Sequence, residues 1–384
     1  MIAIIADDLT GAAEIAGLSW RHGLSAEILA RDERPGNADL VVYDADTRDC
    51  SAAEARRRVT RIARRLRAHH PAWIYKKVDS VLRGNVLAEI DALCRVWPGQ
   101  RCLLVPANPS ARRVIKDGRY FIKGIPINKT DFRFDPAHPR RSAKVRELLG
   151  TSRRRRVVLR NPTSGPLPAG IVVGEAASAA DVRCWARRVD AGTVAAGGAD
   201  FFAALLREHG FRPQRSVRRS VPRITGTTLF VSGSLAESSL NFLAGCAAKE
   251  WPVLMMPYEL FAGLGPARTH CAVWARRVIE ALARQPCVAI GIGQPTLPGR
   301  REGARLGRWL TETVRQVLTA TRPDRVCVEG GSTSAQLLRR LGWKRLNVEC
   351  EFRRGVTAVR PPVRNGALLV FKPGSYDWPA VLTQ

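Results

Sequence analysis

Two neighbouring acids, Asp7 and Asp8, directly follow the apolar run Ile2 to Ala6 and precede Leu9-Thr10-Gly11-Ala12-Ala13-Glu14. A carboxylate pair at the end of a strand can hold cations or take a proton from a hydroxyl, and Thr10 or Asp8 can cap a following helix. A second constellation is Lys77-Val78-Asp79-Ser80-Val81-Leu82-Arg83-Gly84-Asn85. Its lysine, aspartate and arginine supply a cation, an acceptor and a bidentate fork suited to a carboxylate or phosphate. Between them, Asp46-Thr47-Arg48 adds another arginine. A surface ion cluster and a plain helix cap are the less specific readings of these segments.

The C-terminal half carries small-residue turns: Ser232-Gly233-Ser234, Gly291-Ile292-Gly293, Glu329-Gly330-Gly331-Ser332-Thr333 and Lys372-Pro373-Gly374-Ser375. Such turns let backbone amides approach phosphates closely. Each alone is more often an ordinary turn. None has the P-loop spacing or a dinucleotide-binding glycine pattern in its proper context, so those folds are excluded.

These segments need elements that end beside them. Apolar runs at 1–6, 39–43, 73–78 and 102–106 read as buried strands, separated by helical patterns at 11–22, 52–69 and 85–97. That alternation predicts a doubly wound parallel sheet, with ligands at its strand ends. Residues 117–135 read as a β excursion over the sheet. Strands at 157–159 and 171–173 and helices at 180–191 and 199–208 follow. Residues 211–226 read as a linker between a domain at 1–210 and a second α/β domain at 227–384, whose strands are expected at 229–231, 252–256, 287–291 and 325–328. The expected architecture is α/β, two mostly parallel sheets flanked by helices, with the ligand site in the cleft between the domains.

Of the 384 residues, 45% are hydrophobic and 25% charged, which excludes disordered and fibrous classes. The nine cysteines are scattered without a Cys-x-x-Cys pair, so neither disulfides nor a protein-held metal is expected, and a reducing cytoplasm fits. The net charge of +28 draws anions. Its arginines are not interleaved with stacking aromatics, so nucleic acid is not the expected partner, and no membrane span is visible.

Read together, the segments resemble the four-carbon acid sugar kinase family over nearly the whole chain. The residues that carry the resemblance are Ala6 to Ala12, Lys77 to Asn85, Pro106-Ala107-Asn108-Pro109, Asp117-Gly118, Asp135-Pro136, Gly233-Ser234, Gly330-Gly331-x-Thr333 and Lys372-x-Gly374. The resemblance implies ATP-dependent phosphorylation of a hydroxyl on a small sugar acid such as a tetronate, with Mg²⁺ held mainly by the nucleotide. It implies an acid-sugar-binding N-terminal domain using Asp7, Asp8, Arg48, Lys77, Asp79, Ser80 and Arg83. Of these, Lys77 and Arg83 would neutralise the transferred phosphoryl and either Asp8 or Asp79 would orient the hydroxyl as base. Ser234, Gly330, Gly331, Ser332, Thr333, Lys372, Gly374 and Ser375 would surround the nucleotide. The expected partners are the acid sugar and, as an assembly, a homodimer. A non-catalytic regulator that binds anions or nucleic acid on the same fold is the alternative. Three positions depart from the family pattern: Lys129 where relatives tend to carry an acid, Ala236 in the serine turn, and Phe242. An added cation at Lys129 would select a substrate with an extra negative group.

Overall fold

The computed structural model describes residues 1–383 apart from 98, 100, 136, 153, 215–225, 235–236, 294–299, 364–365 and 375. The chain divides into two units, Met1–Val217 and Arg218–Gln384. Most of the expected linker, together with Ala236 and Ser375, lies outside the described residues.

The first unit alternates strands and helices as the buried apolar runs dictate: β1 (Ile2–Ala6), α1 (Leu9–Arg21), β2 (Ala26–Ala30), β3 (Leu40–Asp44), α2 (Ala52–Ala68), β4 (Ile74–Lys77), α3 (Val86–Val96) and β5 (Arg101–Val105). Helix α2 shows the physics plainly. Ser51 caps its first turn, and Ala55, Val59, Ile62, Ala63 and Leu66 bury one stripe while most of its arginines face water. After β5 comes an antiparallel excursion, β6 (Arg113–Lys116), β7 (Arg119–Ile122) and β8 (Ile125–Pro126), followed by two 3₁₀ turns at Ile127–Lys129 and Asp131–Phe134. It begins at Arg113, four residues ahead of the expected start. Then follow α4 (Val145–Leu149), β9 (Val157–Arg160), β10 (Gly170–Gly174), α5 (Ala179–Arg187), β11 (Thr193–Gly197) and α6 (Ala199–Glu208).

The main sheet of this unit runs β2-β3-β1-β4-β11-β5-β10-β9, every pair parallel. The chain turns back on itself between β1 and β4, whose carboxyl ends form the topological switch point. Asp7 and Asp8 leave β1 there, and Lys77 ends β4 in register with Ala6.

The second unit contains β12 (Thr228–Ser232), α7 (Glu237–Ala248), β13 (Val253–Met255), α8 (Tyr258–Ala262), α9 (Ala267–Arg284), β14 (Cys287–Gly291), α10 (Arg300–Ala320), β15 (Arg325–Glu329), α11 (Gly331–Leu341), β16 (Arg345–Arg353), β17 (Val356–Arg360), β18 (Leu368–Lys372) and α12 (Ala380–Thr383). Its strand order is β13-β14-β12-β15-β18-β17-β16, parallel as far as β18 and antiparallel through β17 and β16. The three glycine turns that follow β12, β15 and β18 come together because those strands are neighbours. Among the described residues, no helix is long and apolar enough to cross a membrane.

Candidate functional site

Arg48 lies at the centre of the first unit's strand-end cluster. Its Nε donates to Asp7 Oδ2 at 2.8 Å, its Nη1 to Asp8 Oδ2 at 2.6 Å, and its Nη2 stands 3.5 Å from Asp79 Oδ1. One guanidinium thus ties the ends of β1, β3 and β4. Its loop is fixed by Asn85, whose Nδ2 donates to Thr47 O and Cys50 O at 2.9 Å each. Gly84 permits that approach: at φ +82, a side chain there would begin 3.0 Å from Arg48 O.

Asp8 caps α1, accepting from Gly11 N at 2.7 Å and from the Thr10 hydroxyl at 2.6 Å. Asp79 organises its own turn. Its Oδ2 accepts from the backbone of Val81 at 3.3 Å and of Arg83 at 3.0 Å, while the Arg83 side chain binds both oxygens, Nε at 3.0 Å and Nη2 at 2.9 Å. The turn carries Leu82 at φ +62, a conformation a bulky residue holds only when its surroundings impose it. Arg140 helps to impose it, donating to Leu82 O at 2.9 Å. Burial would raise the Asp79 carboxyl, but the charges of Arg83 and Arg48 and the hydrogen bonds from Arg83 hold it well below the usual range. Arg48 is shifted the opposite way: burial opposes its charge, yet Asp7, Asp8 and Asp79 keep it firmly protonated.

Lys77 is buried, donating to Val78 O at 3.1 Å and facing Glu14 Oε2 at 3.2 Å. Ser80 is held by the excursion, its hydroxyl by Arg113 and its carbonyl by the Tyr120 hydroxyl. The excursion also brings Asp135 to Arg83, Nη1 to Oδ2 at 3.0 Å, and places the Phe132 ring 5.6 Å below Arg83 and 5.7 Å below Arg113. All seven residues expected here gather at one strand-end region. Arg113, Tyr120, Phe132 and Arg140 escaped the sequence reading, and Asp135 stood in a quoted motif without a role. Lys129 is exposed on its 3₁₀ turn.

In the second unit, Gly330 (φ +91) precedes Gly331 at the first turn of α11, and its amide donates to Lys372 O at 2.8 Å. A side chain at Gly233 would begin 2.0 Å from Thr333 Oγ1, so the bare backbone of the turn after β12 lies directly against the Thr333 side chain. Ser234 and Gly374 are neighbours, a Cβ on the glycine falling 3.4 Å from Ser234 Oγ. Ser332 accepts from Gln336 at 3.2 Å on the exposed side of α11. Lys372 is buried against Glu329 at 3.0 Å, and Glu329 also accepts from Ser232 at 3.2 Å and from Ser239. Burial lowers the Lys372 ammonium pKa, and Glu329 opposes that shift. Phe242, half-buried on α7, packs against Phe230 and Trp378 at ring separations of 5.2 and 6.1 Å. A helix start of this glycine-rich kind has the first-turn amides and dipole that suit an anion.

The first unit is therefore an open parallel α/β fold with an arginine–carboxylate cluster at its switch point, and the second an α/β fold with a glycine-rich helix start. Comparison with known proteins gives the same division. Residues 2–194 match the family model of a sugar-binding N-terminal domain, and residues 229–376 that of a nucleotide-binding C-terminal domain. A 3-oxo-tetronate kinase of Methylobacterium radiotolerans is 26% identical over 98% of this chain and 96% of its own. A D-erythronate kinase of Heliobacterium modesticaldum is 35% identical over 38% of this chain and a D-threonate kinase of Bordetella bronchiseptica 34% over 39%. Those two matches span 35% and 39% of the respective relatives. In fold, the chain is similar to Haemophilus influenzae protein HI1011, with TM-score 0.73 at 18% identity, covering 99% of this chain and 98% of that one. This chain belongs to the four-carbon acid sugar kinase family.

Proposed function

We propose that the protein transfers the γ-phosphoryl group of ATP to a hydroxyl of a small sugar acid of tetronate type. The observation that carries this reading is the strand-end cluster in which Arg48 and Arg83 are fixed by Asp7, Asp8, Asp79 and Asp135. Guanidinium groups held in this way present their remaining N–H donors without further ordering, which suits a carboxylate ligand. The N-terminal unit is read as the sugar-acid half. In the second unit, the start of α11, with Gly330, Gly331 and Thr333, and the neighbouring Gly233, Ser234 and Gly374 would receive the phosphates. The bare Gly233 position, which any Cβ would close, fits that role. Lys372, held by Glu329, would supply positive charge beside them. Mg²⁺ would arrive with the nucleotide, held by phosphate oxygens and water, and would neutralise charge on the transferred group.

In phosphoryl transfer the protein contributes position and charge neutralisation more than covalent chemistry. Arg48 and Arg83 would clamp the acid so that one hydroxyl is presented in a fixed direction. The test is ADP release from ATP and Mg²⁺ with a panel of four-carbon sugar acids, with the phosphorylated product identified by mass. Turnover dependent on one such acid is expected. ADP release that no sugar acid accelerates overturns the reading.

A further inference from the structure

Most of the charge in the strand-end cluster is already paired. Arg48 faces Asp7, Asp8 and Asp79, while Arg83 holds Asp79 through Nε and Nη2 and Asp135 through Nη1. Lys77 faces Glu14, and Arg140 is buried with its donors on the carbonyls of His138 and Leu82. Two guanidiniums set against four carboxylates leave little attraction for a ligand that is itself an anion. A further cation has to supply it.

Arg113, at the start of β6, has the charge and the donors to do so. It forms no ion pair among the described residues, and its side chain makes a single hydrogen bond there, from Nη1 to the Ser80 hydroxyl. A guanidinium has five N–H donors, so the Nε–Nη2 edge is unspent. That is the edge by which Arg83 grips Asp79. Neither of these two Arg113 nitrogens is sealed in the interior.

The residue is nevertheless well anchored. Its backbone N donates to Asn108 O at 3.1 Å, its O accepts from Asn108 N at 2.8 Å, and it is half-buried. The Phe132 ring that lies 5.7 Å from its guanidinium carbon lies 5.6 Å from that of Arg83. Asp79 and Asp135 compensate Arg83, and no described carboxylate compensates Arg113. Two like charges on one ring repel until an anion joins them.

Resting on the phosphoryl-transfer reading, we propose that Arg113 binds the carboxylate of the sugar acid and sets the preference for an acid over a neutral polyol. Its Nε–Nη2 edge makes the paired N–H···O bonds of an arginine–carboxylate fork, while Ser80 fixes the guanidinium from Nη1. The N–H donors that Arg48 and Arg83 have left are then directed to the hydroxyl oxygens of the same ligand. Acid selectivity thus resides in the excursion, and the aspartate-bound arginines orient the rest of the molecule.

The experiment measures kcat and KM of wild type, Arg113→Gln and Arg113→Lys for a four-carbon sugar acid, D-threonate or D-erythronate. The neutral amide of the same acid is measured alongside as a competitive inhibitor. Arg113→Gln keeps a donor for Ser80 and is expected to raise the KM of the acid at least about 30-fold, the scale of a lost hydrogen bond to a charged group. The inhibition constant of the amide is expected to stay within about 3-fold, because it has no charge to lose. Arg113→Lys, which restores the charge without the fork, is expected to recover part of the loss. Acid and amide weakened alike by Arg113→Gln, or an acid KM that stays within about 3-fold of wild type, overturns the assignment. If wild type phosphorylates no sugar acid, the parent reading fails at that first measurement. Calorimetric titration of the acid into wild type and Arg113→Gln then still decides whether Arg113 is the carboxylate's partner.

Discussion

Arg48 Nη2 stands 3.5 Å from Asp79 Oδ1 while the other nitrogens of the same guanidinium hold Asp7 and Asp8, so the β4 turn and the β1 end are joined by one side chain. Removing one member of a buried ion cluster costs more than its net worth, because the partners keep their charge without compensation. Arg48→Met is expected to destabilise the protein by about 3 kcal/mol, at the lower end of the range for broken buried pairs, because the arginine keeps some solvent contact. Urea unfolding of the two proteins checks this, and a midpoint unchanged by the substitution refutes it.

The acid sensitivity of the fold follows from Asp79. Its folded pKa lies well below that of the unfolded chain, near 3.9, so its stabilisation is complete above the unfolded value and is lost as pH falls through the folded one. Wild-type stability is expected to fall as the solution is acidified below about pH 5, and that slope to be shallower in Asp79→Asn. Equilibrium unfolding at a series of pH values reads both slopes. Parallel curves would show that Asp79 titrates alike in both states.

Gly233→Ala places a methyl where Thr333 Oγ1 already lies, 2.0 Å away. The turn after β12 or the start of α11 must shift, with overpacking costs of about 1 to 3 kcal/mol. On the phosphoryl-transfer reading, nucleotide affinity is expected to fall at least about 10-fold, since the turns that would receive the phosphates move, while sugar-acid binding is unchanged. Calorimetric titrations with ADP and with the acid separate the two effects.

Lys129 is exposed, which changes what its sequence position suggested. A lysine in water is screened within about 8 Å at physiological salt and does little to rank ligands. Lys129→Glu is expected to leave the ratio of kcat/KM for diacids and monoacids within about 2-fold of wild type. A larger change would restore the charge-reading role.

The strands that the sequence reveals are those with uninterrupted apolar runs, such as Ile2–Ala6 and Leu40–Asp44. Strand β11 escaped because three of its five residues, Ala195, Ala196 and Gly197, have little strand preference, yet it lies centrally between β4 and β5. Strand β2 carries Glu27 inside its apolar run, and that carboxylate is satisfied by the Gly36 amide. Strand β16, Arg345–Arg353, alternates polar and apolar residues with the period of a half-buried strand, a signal the sequence reading passed over.

For the candidate site, spacing reveals the members that follow a strand directly, because a strand end fixes where its next residues go. Arg48 is legible for that reason, and so are Asp7, Asp8 and Asp79. Arg113, Tyr120 and Phe132 reach the cluster by tertiary folding of the excursion, across 33 and 40 residues in the contacts to Ser80. No local pattern encodes such a return. The buried Asp7 Oδ1, which takes no hydrogen bond among the described residues, is equally invisible in sequence.

Among the described residues, the contacts that the excursion from Arg113 to Phe134 makes with the cluster come from its side chains, whereas the parallel strands hold it through backbone geometry. The two parts are therefore free to diverge at different rates. Exchanges in the hairpin alter the outer wall around Ser80 and Arg83 without disturbing strand register, and changes at β1 or β4 dismantle the anchor itself. Retailoring of ligand choice, by natural drift or by directed evolution, has its open ground in residues 113–134, over a chemical floor that stays constant.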